Sequence, residues 1–325
     1  MTQVRKAVVT AAGRGTRQYP ASSAVQKEMF PLVDADGLAK PVIQIIGEEA
    51  IAAGVEEICI VTQPGEEKQY REYFRRMNDE TLRAFRGKDW AIIASEKLQE
   101  FGERLHFVSQ DSPEGYGHAV YQARDFVGDE PFLLMLGDHI YISAEDNDCA
   151  TQLINKYHAS GKQAMSAVQI EPGKLLHLFG TLKGTLLDAD RGTYAIDAIC
   201  EKPTEDYARR HLRTHGLPPN LYLCHFGMHV FPPALFDALQ HHIDNDIREK
   251  NEIQLTNAQE YMRAQLLAEG EYLACTIDGQ RFDTGIPYGL MESQLALALA
   301  GKHRGEIVEA IARLLAEQLH SVAKR

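Results

Sequence analysis

Short apolar runs alternate with stretches of helical spacing along the first part of the chain. Residues 6–10 (KAVVT) predict a buried strand with β-branched Val8 and Val9 at its centre. Residues 41–53 (PVIQIIGEEAIAA) have helical spacing and stop before Gly54, a residue suited to ending a helix. Residues 57–62 (EICIVT), 106–109 and 131–136 predict further strands. Between them, 66–76, 79–85 and 117–126 have helical character. Strands alternating with helices predict a parallel sheet with right-handed crossovers. Ligands of such sheets sit beyond the carboxyl ends of the strands.

The pattern then changes. Residues 165–170, 180–187, 194–199, 227–231 and 272–277 are strand-like, several with short links, which predicts a more antiparallel region continuing the same sheet. Residues 252–267 and 286–300 predict helices. In 306–319, Ile307, Ala310, Ile311, Leu314 and Leu315 fall on one stripe. That stripe either packs on the body or forms a subunit contact; a homo-oligomer, dimer or tetramer, is expected. No internal repeat, low-complexity stretch or long linker interrupts the chain. The fold class is therefore α/β: a Rossmann-like, mostly parallel central sheet flanked by helices, with a smaller antiparallel portion.

A chain of 325 residues can bury a substantial core, and 44% hydrophobic with 25% charged residues is ordinary for a globular protein. The net charge of −12 argues against a nucleic-acid binder, which needs a basic face. A polyanionic ligand would have to be attracted by local cations, amide dipoles and a metal ion. The five cysteines lack any Cys-x-x-Cys pair, so neither a zinc site nor a disulfide framework is implied. The chain enters its first strand with no signal-peptide pattern and holds no apolar run of membrane length. A cytoplasmic protein without membrane partners is expected.

Candidate chemistry lies after the strands. Gly13 and Gly15 follow the first one, flanked by Arg14 and Arg17, with Lys27 further on. Glycines allow close backbone approach, converging N–H groups bind anions, and cations neutralise phosphate. A Walker loop is excluded because Thr16 and Arg17 follow Gly15. A dinucleotide turn is excluded because Gln18 occupies the place of its third glycine or alanine. Asp138 and Asp283 each follow a predicted strand and could hold a divalent cation. Glu201, Lys202 and Pro203 form an acid–base pair at another strand end. Gln110 offers one acceptor and two donors to a nucleobase edge, and Gly115 and Gly117 would let a flat base lie against backbone. Each feature alone also fits a plain turn, a capping Asp or an exposed ion pair. His225, His229, His241 and His242 lack zinc-ligand spacing and read as core or surface residues.

Together the motifs resemble those of the sugar-1-phosphate nucleotidyltransferase family, most closely its bacterial members that use UTP and glucose 1-phosphate. The family's signature loop stands as Gly13, Gly15, Thr16, Arg17 and Pro20, then Lys27, Glu28, Met29, Phe30 and Pro31. Its base-binding motif is matched by Gln110, Gly115, Gly117, His118 and Ala119. Asp138 matches its metal-binding Asp; Glu201, Lys202 and Pro203 match its sugar-phosphate motif. Residues 252–256 (EIQLT), the late Asp283 and Gly285, and the single Gly180 complete the set, in order, over nearly the whole chain.

The resemblance implies a nucleotide-diphospho-sugar transferase fold and magnesium-dependent uridylyl transfer from UTP to glucose 1-phosphate, giving UDP-glucose and pyrophosphate. It implies one domain over 1–325: a nucleotide-binding half to about 140, a sugar-phosphate half to about 285, then C-terminal helices over 286–325. It carries catalytic roles to Arg17, Lys27, Asp138 and Lys202. Nucleotide binding falls to Ala11, Ala12, Gly13, Arg14, Gly15, Thr16, Glu28, Gln110 and Gly115. Sugar-phosphate binding falls to Gly180, Glu201 and Lys202, and Mg2+ to Asp138 and Asp283. The chain departs from the family in the longer connection 34–40, in Gln26, in Ser22 and Ser23, and in His139. Several of these border the triphosphate loop, so thymidylyl, cytidylyl and adenylyl transfer stay open. A catalytically silent nucleotide-sugar regulator is a further alternative, opposed by the intact Lys27, Asp138, Lys202 and Asp283.

Overall fold

A computed structural model describes residues 3–86 and 88–322. Its strands, in chain order, are β1 (Lys6–Thr10), β2 (Pro31–Val33), β3 (Ala39–Pro41), β4 (Glu57–Thr62), β5 (Leu105–Ser109), β6 (Phe132–Leu136), β7 (His139–Ser143), β8 (Ala164–Pro172), β9 (Gly180–Asp188), β10 (Thr193–Glu201), β11 (Leu221–Phe231), β12 (Tyr272–Thr276) and β13 (Gly279–Asp283). The described chain divides into two compact units.

The first unit comprises the chain up to Gly13, Glu48–Leu136 and Cys149–Ile277. It contains a nine-stranded sheet in the order β5-β4-β1-β6-β11-β8-β12-β10-β9. Strands β5, β4, β1 and β6 run parallel, with Thr10 paired to both Val61 and Leu136. Val8, Val9, Ile58, Ile60, Leu133 and Leu134 are buried. Central parallel strands are covered on both faces, which is why these segments read as apolar runs. Beyond β6 the pairing is antiparallel except between β8 and β12. β9 pairs with both β10 and β11, so β11, β8, β12, β10 and β9 form a ring of pairings.

The second unit comprises Arg14–Gly47, Gly137–Asp148 and the chain from Asp278 on. It holds two antiparallel ribbons, β2–β3 and β7–β13, and the helices Pro287–Ala300 and Arg304–Val322. Of the long connection 34–40, residues 34–38 form the tip of the first ribbon and 39–40 begin β3; Lys40 holds the tip between Asp34 (2.7 Å) and Asp36 (2.8 Å). The carbonyl of Ala35 accepts the amide of Lys302 at 3.1 Å.

The structure differs from the sequence pattern in places. The helix expected over 252–267 runs only over Leu255–Tyr261, followed by a π turn at Met262–Leu266. Residues before it are extended because Ile253 exchanges backbone hydrogen bonds with Glu114 and Gly117. The ribbon β7–β13 was not predicted: its partners are distant in sequence, and β13 (GQRFD) lacks an apolar run. The helix Asp89–Glu103 was likewise not predicted. Residues 323–325 of the expected C-terminal helices lie outside the described residues. No helix among the described residues is long and apolar enough to cross a membrane.

Candidate functional site

The second unit carries Arg14, Gly15, Thr16, Arg17, Lys27, Glu28, Asp138 and Asp283. The ribbon brings the two acids together, since β7 and β13 pair His139 with Asp283, and Asp138 directly precedes β7. Thr284 fixes the backbone there: its amide and hydroxyl both donate to the Asp138 carbonyl, at 2.8 and 2.9 Å. The Asp138 carboxylate accepts Lys27 Nζ at 2.5 Å on Oδ2, and His139 Nδ1 lies 2.9 Å from Oδ1. Arg17 lies 3.7 Å from Asp283 Oδ2. Gly285 donates its amide to Asp283 Oδ1 at 2.7 Å. A Cβ at Gly285 would stand 2.7 Å from Asp138 Oδ2 and 2.9 Å from Asp283 Oδ1, so a side chain there would push the acids aside.

The phosphate-loop candidate turns at Gly15, whose φ of 60° favours glycine, into a short 3-10 turn over Thr16–Gln18. Gln18 ties that turn to the Asp283 loop by donating to the carbonyls of Thr284 and Ile286. The side chains of Arg14, Thr16 and Arg17 are exposed. In the first unit, Ala11 and Ala12 are buried, and the Ala11 amide donates to the Val61 carbonyl at 2.8 Å.

Burial opposes ionisation of Asp138, but His139 and Lys27 outweigh it and hold the carboxyl well below the usual range. Burial likewise disfavours the Lys27 ammonium, and Asp138 and Glu28 reverse this, so its pKa is raised. Glu28 is 1% exposed; burial pushes its carboxyl up to about 8 despite Lys27, so it is mostly protonated at neutral pH. The cluster is thus an ionised acid and base beside a neutral acid.

Asp138, His139 and Asp283 present ligand atoms within 4.8 Å of one another. Carboxylate oxygens suit a hard cation such as Mg2+, which typically takes one or two carboxylates and fills its shell with phosphate and water. Each Asp138 oxygen retains acceptor capacity beyond its present partner. The donor set therefore fits a divalent ion. His225, His229, His241 and His242 belong to the first unit and are not among these ligand atoms. His229 lies with Tyr272 around Ser166, each 2.6 Å from its hydroxyl, and His241 stacks on Tyr261.

The first unit carries the other candidates. Gln110 is buried, and its amide nitrogen lies 3.1 Å from the Gly115 carbonyl and 3.0 Å from His118 Nδ1. Those contacts take up the donors, so the side-chain oxygen is the group left to accept from a ligand. Gly115 has φ 115°, and a Cβ there would lie 2.7 Å from Glu252 Cβ and 2.9 Å from the Ile253 backbone. The glycine makes room for the chain's own segment as well as for any base. Glu201 ends β10 opposite Gly180. Its Oε2 accepts the Thr256 hydroxyl at 2.6 Å, and its Oε1 lies 3.4 Å from Lys202 Nζ. Lys202 adopts φ 41°, a sparsely populated conformation for a side-chain-bearing residue. The sequence reading missed Gln18, which ties the Asp283 loop through its side-chain amide, and Thr284, Ile253 and Thr256, which contact the candidates through backbone or hydroxyl groups. Only the EIQLT motif could have pointed to the last two.

A family model described as nucleotidyl transferase matches residues 6–298. The UTP–glucose-1-phosphate uridylyltransferase of Bacillus subtilis is 34% identical over 319 residues, covering 97% of this chain and 98% of the relative. That of Staphylococcus haemolyticus is likewise 34% identical, covering 97% and 99%. Among solved structures, UDP-glucose pyrophosphorylase from Acinetobacter baumannii superposes with a TM-score of 0.77 at 28% identity, covering 96% of this chain and all of that one. The UTP-bound form of that enzyme gives 0.76.

Proposed function

The chain belongs to the nucleotidyl transferase family, and from that premise we propose that it transfers a uridylyl group from UTP to glucose 1-phosphate, releasing pyrophosphate. The observation that carries the reading is the Lys27–Asp138 pair with Asp283 beside it. It combines a held cation with carboxylates for a metal, which suits a metal-bound triphosphate.

A phosphate oxygen of glucose 1-phosphate attacks the α-phosphorus in line. It is already ionised near neutral pH, because the second phosphate pKa is about 6. The bond from the α-phosphorus to its bridging oxygen breaks, and pyrophosphate takes the charge. No side chain has to remove a proton, so the protein's work is positioning and charge neutralisation.

In this reading, Arg17 and Lys27 hold the triphosphate and steady the leaving pyrophosphate, together with backbone amides of Gly13 to Gly15. Glu28, largely uncharged at neutral pH, adds little repulsion there. Asp138 and Asp283 would hold Mg2+, which when bound supplies charge neutralisation at the α-phosphate. Lys202 draws the sugar phosphate into line, and Glu201 accepts hydrogen bonds from sugar hydroxyls. Gln110 accepts the imide N–H of uracil through its side-chain oxygen. Cytosine has an unprotonated ring nitrogen at that place and would leave the acceptor unpaired.

The whole chain then works as one nucleotidyltransferase domain in the cytoplasm. The cysteines support that compartment: they are free thiols, and burial pushes Cys59 and Cys275 up to about 12, where they are inert. Self-association as a dimer or tetramer is supported by Tyr288, Met291, Leu295 and Leu299, exposed at helical spacing on Pro287–Ala300.

The test is a panel of UTP, dTTP, CTP and ATP, each with glucose 1-phosphate and Mg2+, read by pyrophosphate release. UTP should be fastest, dTTP second and CTP poor. CTP or ATP outperforming UTP would overturn the base assignment. No release with any triphosphate would favour a silent regulator.

A further inference from the structure

Residues 252–256 match a family motif, yet the roles above leave Thr256 without a part. Thr256 is buried at the second position of the helix Leu255–Tyr261. A helical threonine hydroxyl commonly bonds the backbone a turn back. This one donates across to Glu201 Oε2 at 2.6 Å. The helix that carries it is fastened to β10 a second time. Glu260 Oε2 accepts the amide of Ile199 at 3.0 Å, and Arg263 grips the Glu260 carboxylate at 2.9 and 2.6 Å. The Thr256 hydroxyl is therefore a donor held in place relative to the strand that ends in Glu201.

Gly180 makes this contact possible. A Cβ there would stand 2.6 Å from His225 Cδ2, 3.1 Å from Thr256 Oγ1 and 3.4 Å from Glu201 Oε2. Three side chains close on its α-carbon, and buried His225 has no room to withdraw. On the other side, Glu201 Oε1 lies 3.4 Å from the half-exposed Lys202 ammonium. That is a loose ion pair, and without Thr256 the carboxylate would be free to close further onto the cation.

We propose that Thr256 is a positioning residue that aims Glu201 at the sugar and holds it off Lys202, leaving the ammonium available to the sugar phosphate. The proposal rests on the assignment of Glu201 and Lys202 to glucose 1-phosphate. It makes the EIQLT segment part of the sugar-phosphate site.

Thr256→Val keeps the shape and removes the donor; Thr256→Ser keeps the donor. Initial rates are measured with each substrate varied in turn. Losing a hydrogen bond to a charged group should raise KM for glucose 1-phosphate about tenfold in the valine variant. Its KM for UTP should stay at the wild-type value, because neither Glu201 nor Lys202 is assigned to the nucleotide. Serine should restore the wild-type KM. In a Glu201→Ala background, Thr256→Val should have no further effect, because both act through one carboxylate. If the valine variant does not fold, Thr256→Ala carries the same expectation. An unchanged KM for glucose 1-phosphate, an equal rise for UTP, or failure of serine to restore would overturn the proposal while an active wild type upholds the functional reading. A wild type that releases no pyrophosphate would overturn both.

Discussion

Asp138 sets the charge balance of the second unit, because Lys27 and His139 both bond to it. Asn at this position would keep the shape and leave the largely buried Lys27 ammonium without its main counter-charge. Asp138→Asn should stop pyrophosphate release and lower unfolding stability in urea by roughly 3 kcal/mol, the scale for breaking a buried pair from one side. Adding Lys27→Met should recover most of that stability and none of the activity. A folded Asp138→Asn protein with normal turnover would remove this residue from the mechanism. Glu28 gives a pH signature of its own. Its carboxyl is raised from 4.5 to about 8 in the folded chain, chiefly by burial. Between those values the folded protein keeps a proton that the unfolded chain has released, so stability falls as pH rises. The contribution is whole below the lower value and lost as pH climbs through the upper one. Glu28→Gln should flatten this slope in urea titrations from acid to alkaline pH; an unchanged slope would contradict the buried, neutral acid.

At the scale of elements, two short segments organise the candidate residues. The ribbon β7–β13 pairs His139 with Asp283 and so brings together two acids far apart in sequence. The extended residues before the helix Leu255–Tyr261 cross the loop proposed to bind the base, where Ile253 accepts from Gly117 and donates to Glu114, both at 2.8 Å. Gly115→Ala would drive a methyl into that crossing, at a residue whose φ of 115° already disfavours a side chain. Overpacking of this kind costs about 1–3 kcal/mol. Gly115→Ala should therefore lower the melting temperature and raise KM for UTP, with KM for glucose 1-phosphate unchanged. An equal rise for both substrates would show that the crossing serves the whole fold rather than the base loop. The segment's sequence hinted at importance through its motif, but its helical appearance concealed the extended start. The backbone bonds that straighten it come from a loop more than a hundred residues earlier in the chain.

For the whole molecule, the net charge of −12 makes binding of a triphosphate depend on local arrangement rather than on overall attraction. The cations proposed for that task, Arg14, Arg17 and Lys27, are close together in sequence, and Lys27 is held on Asp138. Binding to the folded state alone raises stability by mass action. UTP with Mg2+ at a hundred times its dissociation constant should add about 2.7 kcal/mol to unfolding stability, seen as a higher melting temperature. ATP at the same concentration should shift it far less, since the unprotonated ring nitrogen of adenine offers no imide N–H to the Gln110 oxygen. Equal shifts would mean that the triphosphate loop alone sets affinity and that Gln110 does not select the base.

What the sequence by itself determined is local or is expressed in composition. The central parallel strands are buried on both faces, so their residues must be continuously apolar and are visible as runs. The glycine loop, the strand-end acids and the Glu201–Lys202–Pro203 turn are contiguous motifs, and their order along the chain pointed to the family. Tertiary structure decided what depends on distant partners. It paired β7 with β13, set Lys27 on Asp138, and drew Thr256 onto Glu201. It also fixed protonation: Glu28 and Asp138 are both carboxylic acids in the sequence, and only their neighbours hold one largely neutral and the other ionised at neutral pH. Spacing along a chain records side-chain identity, whereas desolvation and hydrogen bonding depend on what the fold brings within a few ångströms.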